Sequence, residues 1–250
     1  MASVFLRAGA LFLVSVGYSF SANLVFNGIA TDLGMGTALG SGANSSLWSQ
    51  QDGSNFNAYW IGGMSVSVNS VSRVVFCVDA FTDIYIGSTN SSTLTAPSTA
   101  QMERAAWLLN TEYANLTATH SGVSSNQLGA ALQLALWDIT MDNGNGLTSG
   151  RIQKSSSGFH PTDAVVLQYA NQFIAESVGH VSTNAIVYNN VCISGAPSGS
   201  CGTQSQTLLG IVINDGGPQV PTPEPSTISL CMIAGLAGIL VQRGRGRASL

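Results

Sequence analysis

Ser124-Ser125-Asn126-Gln127-Leu128-Gly129-Ala130-Ala131-Leu132-Gln133-Leu134-Ala135-Leu136-Trp137-Asp138-Ile139 is the stretch on which the reading of this chain turns. Ser124 followed three residues later by Gln127 makes a helix-opening capping pair, and no breaker interrupts the apolar run behind it, so a helix is predicted over about 125–139. On that helix Gly129, Ala130, Gln133 and Trp137 share one face through i+3 and i+4 spacing. Gly129 and Ala130 carry little or no side chain, which leaves room for a strand to come close. A carboxamide and a large aromatic then stand together on the approached face.

Working outward, two further helices are expected. Ser98 with Gln101, behind Pro97, opens one over about 99–110, with Met102, Ala105, Ala106 and Leu109 on one face. Val166, Tyr169, Ala170 and Phe173 follow Pro161-Thr162 at helical spacing and predict another over about 163–177. On either side the pattern turns to strands. Val66-Ser67-Val68 alternates, Val74-Val75-Phe76-Cys77-Val78 is a near-continuous apolar run, and Phe81 to Ile86 continues the extended character. After the helices, Ala185-Ile186-Val187-Tyr188 and Leu208 to Ile213 read as strands again. The expectation is an α+β fold, a strand-rich domain with a three-helix insertion, occupying residues 22–219.

Composition narrows the function classes. Only 8% of the 250 residues are charged, 45% are hydrophobic, and the net charge is −4. Between residues 22 and 222 the basic residues are Arg73, Arg104, Arg151 and Lys154, too few and too scattered to neutralise phosphates, so no nucleic-acid partner is expected. Coiled coils and charge-driven disorder need far more charge than this. Few charges among many Gly, Ser, Thr and Asn residues suit an exported surface protein.

The two ends read as sorting signals. Arg7, the apolar run Ala8 to Val16 and the polar Gly17 to Ser21, with small residues Ser19 and Ser21 before the cut, form a signal peptide over 1–21. At the other end, over 220–250, Val220-Pro221-Thr222-Pro223-Glu224-Pro225-Ser226-Thr227 is a stiff extended linker. The apolar run Ile228 to Val241 and an arginine cluster, Arg243, Arg245 and Arg247, follow it, the pattern of a short membrane-spanning helix held by cytoplasmic charge. This order of parts, with Pro223, Glu224 and Pro225 as the sorting motif, resembles the PEP-CTERM signal. The resemblance implies a bacterium that makes exopolysaccharide and an exosortase-type processing protease as partner. It also implies residence in the inner membrane through the C-terminal helix before processing, then release to the cell surface or extracellular matrix.

Of the four cysteines, Cys231 lies in the tail. Cys192 and Cys201 are nine apart across a Gly/Pro/Ser loop and are a disulfide candidate in an oxidising compartment, leaving Cys77 in an apolar strand. Pairing of Cys77 with either of them is the alternative.

Phe76-Cys77-Val78-Asp79 together with Gln133-Leu134-Ala135-Leu136-Trp137 resembles the bacterial thioester (TQXA) domain of surface adhesins. There an aromatic-Cys pair on a strand meets a Gln in a Thr-Gln-x-Ala-(Ile/Val)-Trp helix motif. Ala106-Trp107-Leu108-Leu109-Asn110 is similar to the intervening helix of that family. Leu132 stands in place of the Thr, removing a hydroxyl that could orient the amide, and Leu136 in place of the β-branched residue. The resemblance implies a thioester pair, Cys77 and Gln133, joined with loss of ammonia and opened by an amine-bearing surface protein or matrix component.

The chemistry asks for these residue types. A carboxamide is a poor acyl donor, so a thiol attacks it only when held in contact, where proximity replaces concentration. Trp137 is expected to cover the bond. Asp79, on the strand face of Cys77, Asp138 beside Trp137, or one of His120, His160 and His180 could shuttle the proton, and the residues do not choose among them. No serine-hydrolase elbow, P-loop or zincin motif occurs in the sequence, and the oxygen-rich stretch Asp138 to Gly146 lacks EF-hand spacing, so neither metal nor cofactor is expected. The leading expectation is a biofilm or cell-surface attachment module and not a turnover enzyme. The alternatives are a structural matrix protein with an inert Cys77 and, third, a Cys-dependent hydrolase or transamidase.

Overall fold

The computed structural model describes residues 20–34, 47–51, 55–59, 61–118, 122–153, 164–197 and 201–212. The chain divides into two compact units, Met1–Gln219 and Val220–Leu250. The whole second unit, and with it the sorting motif and the apolar run, lies outside the described residues, as does most of the expected signal peptide. Among the described residues no helix is long and apolar enough to cross a membrane.

The strands of the first unit close into a six-stranded antiparallel barrel. Its order is β1 (Phe20–Gly34), β4 (Gly62–Val68), β5 (Val71–Cys77), β9 (Leu208–Ile211), β8 (Ala185–Ser194) and β6 (Thr89–Thr95), with β6 returning to β1. Closure leaves no strand of this sheet with an unpaired edge. β2 (Leu47–Gln51), β3 (Asn55–Tyr59) and β7 (Ile152–Gln153) form a separate three-stranded sheet, in the order β3-β2-β7.

The β4–β5 hairpin turns through Asn69 and Ser70, both at positive φ, and its register sets Val68 against Val71 and Met64 against Val75. Two central residues in the left-handed region give the turn a twist that matches the strands it joins. Leu24, Val66, Val68, Val75 and Leu94 are wholly buried, as the alternation of their strands requires. β6, Thr-Asn-Ser-Ser-Thr-Leu-Thr, is polar but for Leu94 and carries no apolar alternation by which to find it. It is a strand because its neighbours complete it. Buried Ser92 donates to Asn190 of β8, and Asn190 Nδ2 donates to the Gln206 carbonyl at 2.6 Å.

The three expected helices are present as α1 (Ala100–Glu112), α2 (Ser125–Asp142) and α3 (Ala164–Glu176). The cap of α1 differs by one residue from the sequence reading. Thr99, not Ser98, accepts the Met102 N–H with its hydroxyl. At α2 the Ser124–Gln127 capping box is complete in both directions, and Asn143 closes the helix in the left-handed conformation. Every residue of α2 from Leu128 to Ile139 is buried, because α2 lies between the other two helices and strands β1, β4 and β5.

One further expectation changes. The extended character predicted for Phe81 to Ile86 does not become a strand. Asp79 Oδ1 accepts the Phe81 N–H at 3.1 Å, a turn built on its own side chain, and the chain loops out until β6. β1 begins at Phe20, so cleavage after Ser21 would remove its first two residues, which pair with Leu94 and Thr93.

Candidate functional site

Cys77 is the last residue of β5, where Phe76 pairs with Leu209 and Cys77 with Leu208 of β9. The next residue continues that contact, with Val78 N–H donating to the Thr207 carbonyl at 3.0 Å. β5 thus delivers Cys77 to the end of the barrel against α2. Gln133, 56 residues later, meets it there. The Cys77 N–H donates to Gln133 Oε1 at 3.0 Å, and Gln133 Nε2 donates to the Cys77 carbonyl at 2.6 Å. Both residues are buried.

This double hydrogen bond orients the carboxamide with backbone groups alone. The hydroxyl missing at Leu132 is therefore not needed to aim it; Leu132 is fully buried as an apolar core residue. A second tie stands two turns further along α2. Thr140 donates from Oγ1 to the Val78 carbonyl at 3.0 Å, sharing that proton with the Leu136 carbonyl at 2.8 Å. Sequence reading missed Thr140. The i, i+4, i+7 spacing of Gln133, Trp137 and Thr140 was the signal available for it.

The close approach expected at Gly129 is real, but the strand is β1. A Cβ at Gly129 would lie 2.0 Å from the Leu33 carbonyl oxygen. Glycine here lets the end of β1 lie on α2, while Cys77 comes in one turn further on.

The Cys77 sulfur is a free thiol whose S–H donates to the Asp79 carbonyl at 3.0 Å. Burial pushes its pKa far above the ordinary thiol range, and the nearby Asp79 charge adds to that. The Trp137 indole N–H and the Asp79 carbonyl act in the opposite direction on the sulfur without offsetting burial. The thiol is accordingly held protonated.

The expected helpers fall in different places. Trp137 lies against the sulfur, as its spacing on α2 implies. The Asp79 carboxylate is taken up by the Phe81 N–H and, at 2.5 Å, by the Thr82 hydroxyl. Asp138 points to the far end of α2, where its Oδ2 accepts the Gly146 N–H at 3.1 Å; its pKa is pushed up to about 6, chiefly by burial. His180 stacks on Trp107, centroids 4.1 Å apart, and His120 and His160 lie outside the described residues. Among the described residues no histidine lines the cleft described next, and no group of side chains has the makings of a metal site.

Cys77, Gln133 and Trp137 together form the floor of a cleft of about 780 Å³. Beside Phe26 and Ile29 of β1 and Met64 of β4, its walls come from two loops. One is the 83–86 segment that follows the Asp79 turn. The other, Gly195-Ala196-Pro197, lies inside the ring closed by the Cys192–Cys201 disulfide. The two loops touch where a Cβ on Gly195 would come 2.7 Å from the Gly87 carbonyl oxygen. Neither wall was visible in the sequence as part of a site. Cys231 lies outside the described residues.

Residues 74–178 match the family model of the thioester domain. No curated protein and no solved structure matches the chain. The matched span runs from within β5 to just past α3 and holds Cys77, Gln133 and Trp137, so the thioester domain match and the cleft floor coincide. Thioester domains attach covalently to amine-bearing partners. The span leaves out β1 to β4 and β8 and β9, which the thioester domain match therefore does not describe, although β1, β4, β8 and β9 complete the barrel that holds Cys77 in place.

Proposed function

We propose that this protein is an exported cell-surface or biofilm-matrix attachment module in which Cys77 and Gln133 form an internal thioester. The observation that carries the reading is the grip of the Gln133 carboxamide on the Cys77 backbone. It holds the acyl group against the backbone of the residue that carries the one free thiol among the described residues, in a buried site.

In the forming step the Cys77 sulfur adds to Gln133 Cδ and the C–N bond breaks. The thiol proton goes to the departing nitrogen, which leaves as ammonia. The balance closes without an external base, which suits a thiol that burial keeps protonated and a site whose nearest carboxylate, Asp79, is occupied. The Cys77 N–H already donates to Oε1, where negative charge collects in the tetrahedral intermediate, and so acts as an oxyanion donor. The buried surroundings then protect the product from water. In the capture step a primary amine adds to the same carbon, the C–S bond breaks, and the amine proton ends on Cys77. The result is a stable amide, made once per molecule, so the reaction is attachment and not turnover.

Export fits the terminal signals and the Cys192–Cys201 disulfide, which forms in oxidising compartments. We assign processing to an exosortase-type protease acting on the Pro223-Glu224-Pro225 motif, with the membrane as a transient partner through the C-terminal helix. Intact mass tests the central claim. Mature protein should be lighter than its sequence by one ammonia, should gain one methylamine on incubation with it, and should show neither change as Cys77→Ala or Gln133→Ala. A sample of unreduced mass with one titratable thiol would instead establish an inert buried cysteine.

A further inference from the structure

The cleft over Cys77 and Gln133 has a strongly uneven wall. Phe26, Ile29, Met64 and Ile84 make much of it apolar, and among the described residues Asp83 is the only charged one that lines it. Asp83 is fixed there from both sides: its backbone carbonyl accepts the Ser205 hydroxyl at 3.2 Å, and its Oδ2 faces the Tyr85 hydroxyl at 3.4 Å. The nearest guanidinium along this loop, that of Arg151, is stacked 4.0 Å over the Phe81 ring and does not line the cleft. A negative charge on an apolar wall, with no cation among the described residues of the lining, is a charge filter on what reaches the floor.

We propose that Asp83 is a specificity-determining residue that selects acceptors in which the reactive amine sits on an apolar chain bearing a second cationic group. This rests on the thioester reading. A carboxylate cannot favour an amine through that amine's own ammonium form, because the ammonium is not the nucleophile and its attraction to Asp83 only holds it protonated. The attraction becomes useful when the attacking nitrogen is neutral and a different cation of the same molecule stays behind at Asp83. The chain between the two nitrogens then lies along the apolar wall. A diamine has this chemistry, and so does a lysine next to a second basic residue in a peptide. An acceptor with an anionic tail is repelled by the same group.

The test follows capture by intact mass in the full mature protein, at low salt, with 1,5-diaminopentane, pentylamine and 6-aminohexanoate as length-matched acceptors. A Lys-Arg and a Lys-Glu peptide separate the two sources of the cation. Wild type should react fastest with the diamine and slowest with the aminohexanoate, about three- to tenfold between neighbours in the series, with the spread shrinking as salt rises. Asp83→Asn should flatten the series while keeping the loss of ammonia, and Asp83→Lys should reverse it. Preference for the Lys-Arg peptide over the diamine assigns the acceptor to a basic peptide segment, and the reverse assigns it to a free polyamine. An unchanged order in Asp83→Asn and Asp83→Lys, with the thioester mass intact, overturns the role of Asp83 alone. Absence of the ammonia loss in wild type overturns the thioester reading and this inference with it.

Discussion

The Gln133 side chain and the Cys77 peptide satisfy each other completely: one carboxamide oxygen and one carboxamide nitrogen are matched to one N–H and one carbonyl, at 3.0 and 2.6 Å, inside the protein. Such a pair is expensive to break on one side only, because the partner groups stay buried.

Gln133→Ala should therefore act on stability as well as on chemistry. Relative to Cys77→Ala, which keeps the carboxamide because it cannot form the thioester, it leaves a buried N–H and a buried carbonyl without partners, at about 1–3 kcal/mol each. Urea unfolding should show a loss of about 2–6 kcal/mol between those two variants, and the mass deficit of wild type should be absent. Gln133→Glu keeps the shape but has no nitrogen to lose as ammonia, so it too should show full mass and a free thiol.

Thr140→Val removes the second tie between α2 and the end of β5 while conserving volume. A loss of about 1 kcal/mol is expected for one side-chain hydrogen bond. If this tie also sets how Gln133 meets Cys77, newly folded protein should show its ammonia loss more slowly than wild type, which time-resolved intact mass would reveal.

Gly129→Ala places a methyl group against the Leu33 carbonyl, which is backbone and cannot swing aside. The end of β1 must move off α2, and about 2 kcal/mol or more should be lost, seen as a lowered thermal midpoint. Ala at Gly87 or Gly179, where a Cβ meets nothing within 4 Å, should cost less and only through their positive φ.

Asp138 predicts a pH effect of known sign. Its pKa is raised from 3.8 to about 6 by burial, and its Oδ1 is buried without a hydrogen-bond partner. Between those values the folded protein binds more proton than the unfolded chain, so this group lowers stability as pH rises from about 4 to about 6. Asp138→Asn should abolish that component. The difference between variant and wild type in urea unfolding should grow over this window and level off at neutral pH, at about 1–2 kcal/mol in favour of the variant. A flat difference curve would mean Asp138 is not the group responsible.

The helices and the Cys77–Gln133 pair could be read from the chain because they carry local signals. α2 has its capping box and an uninterrupted apolar run, and Cys77 and Gln133 stand within a recognisable spacing of aromatic and small residues. β1 and β6 could not be read in the same way. The start of β1 coincides with residues that also suit the end of a signal peptide, and β6 is largely polar, with inward Ser92 bonding across the sheet to Asn190 and only Leu94 packing as hydrocarbon. The walls of the cleft were hidden for a different reason. The 83–86 loop exists because Asp79 turns the chain with its own side chain, and the facing wall arrives from more than a hundred residues away, joined by the barrel and not by any motif. The strand expected beneath Gly129 was wrong in identity for the same cause: a glycine announces a close neighbour without saying which one.

The barrel's order also sets a timetable. β5, which carries Cys77, has β4 on one side from the start, but its other neighbour is β9, among the last strands of the domain to leave the ribosome. A nascent chain that has passed Gln133 already owns both reacting groups and still lacks the strand and the disulfide-bound loop that enclose them. A chain ending at residue 178 would be arrested at that stage, with the edge of β5 that β9 later pairs left open.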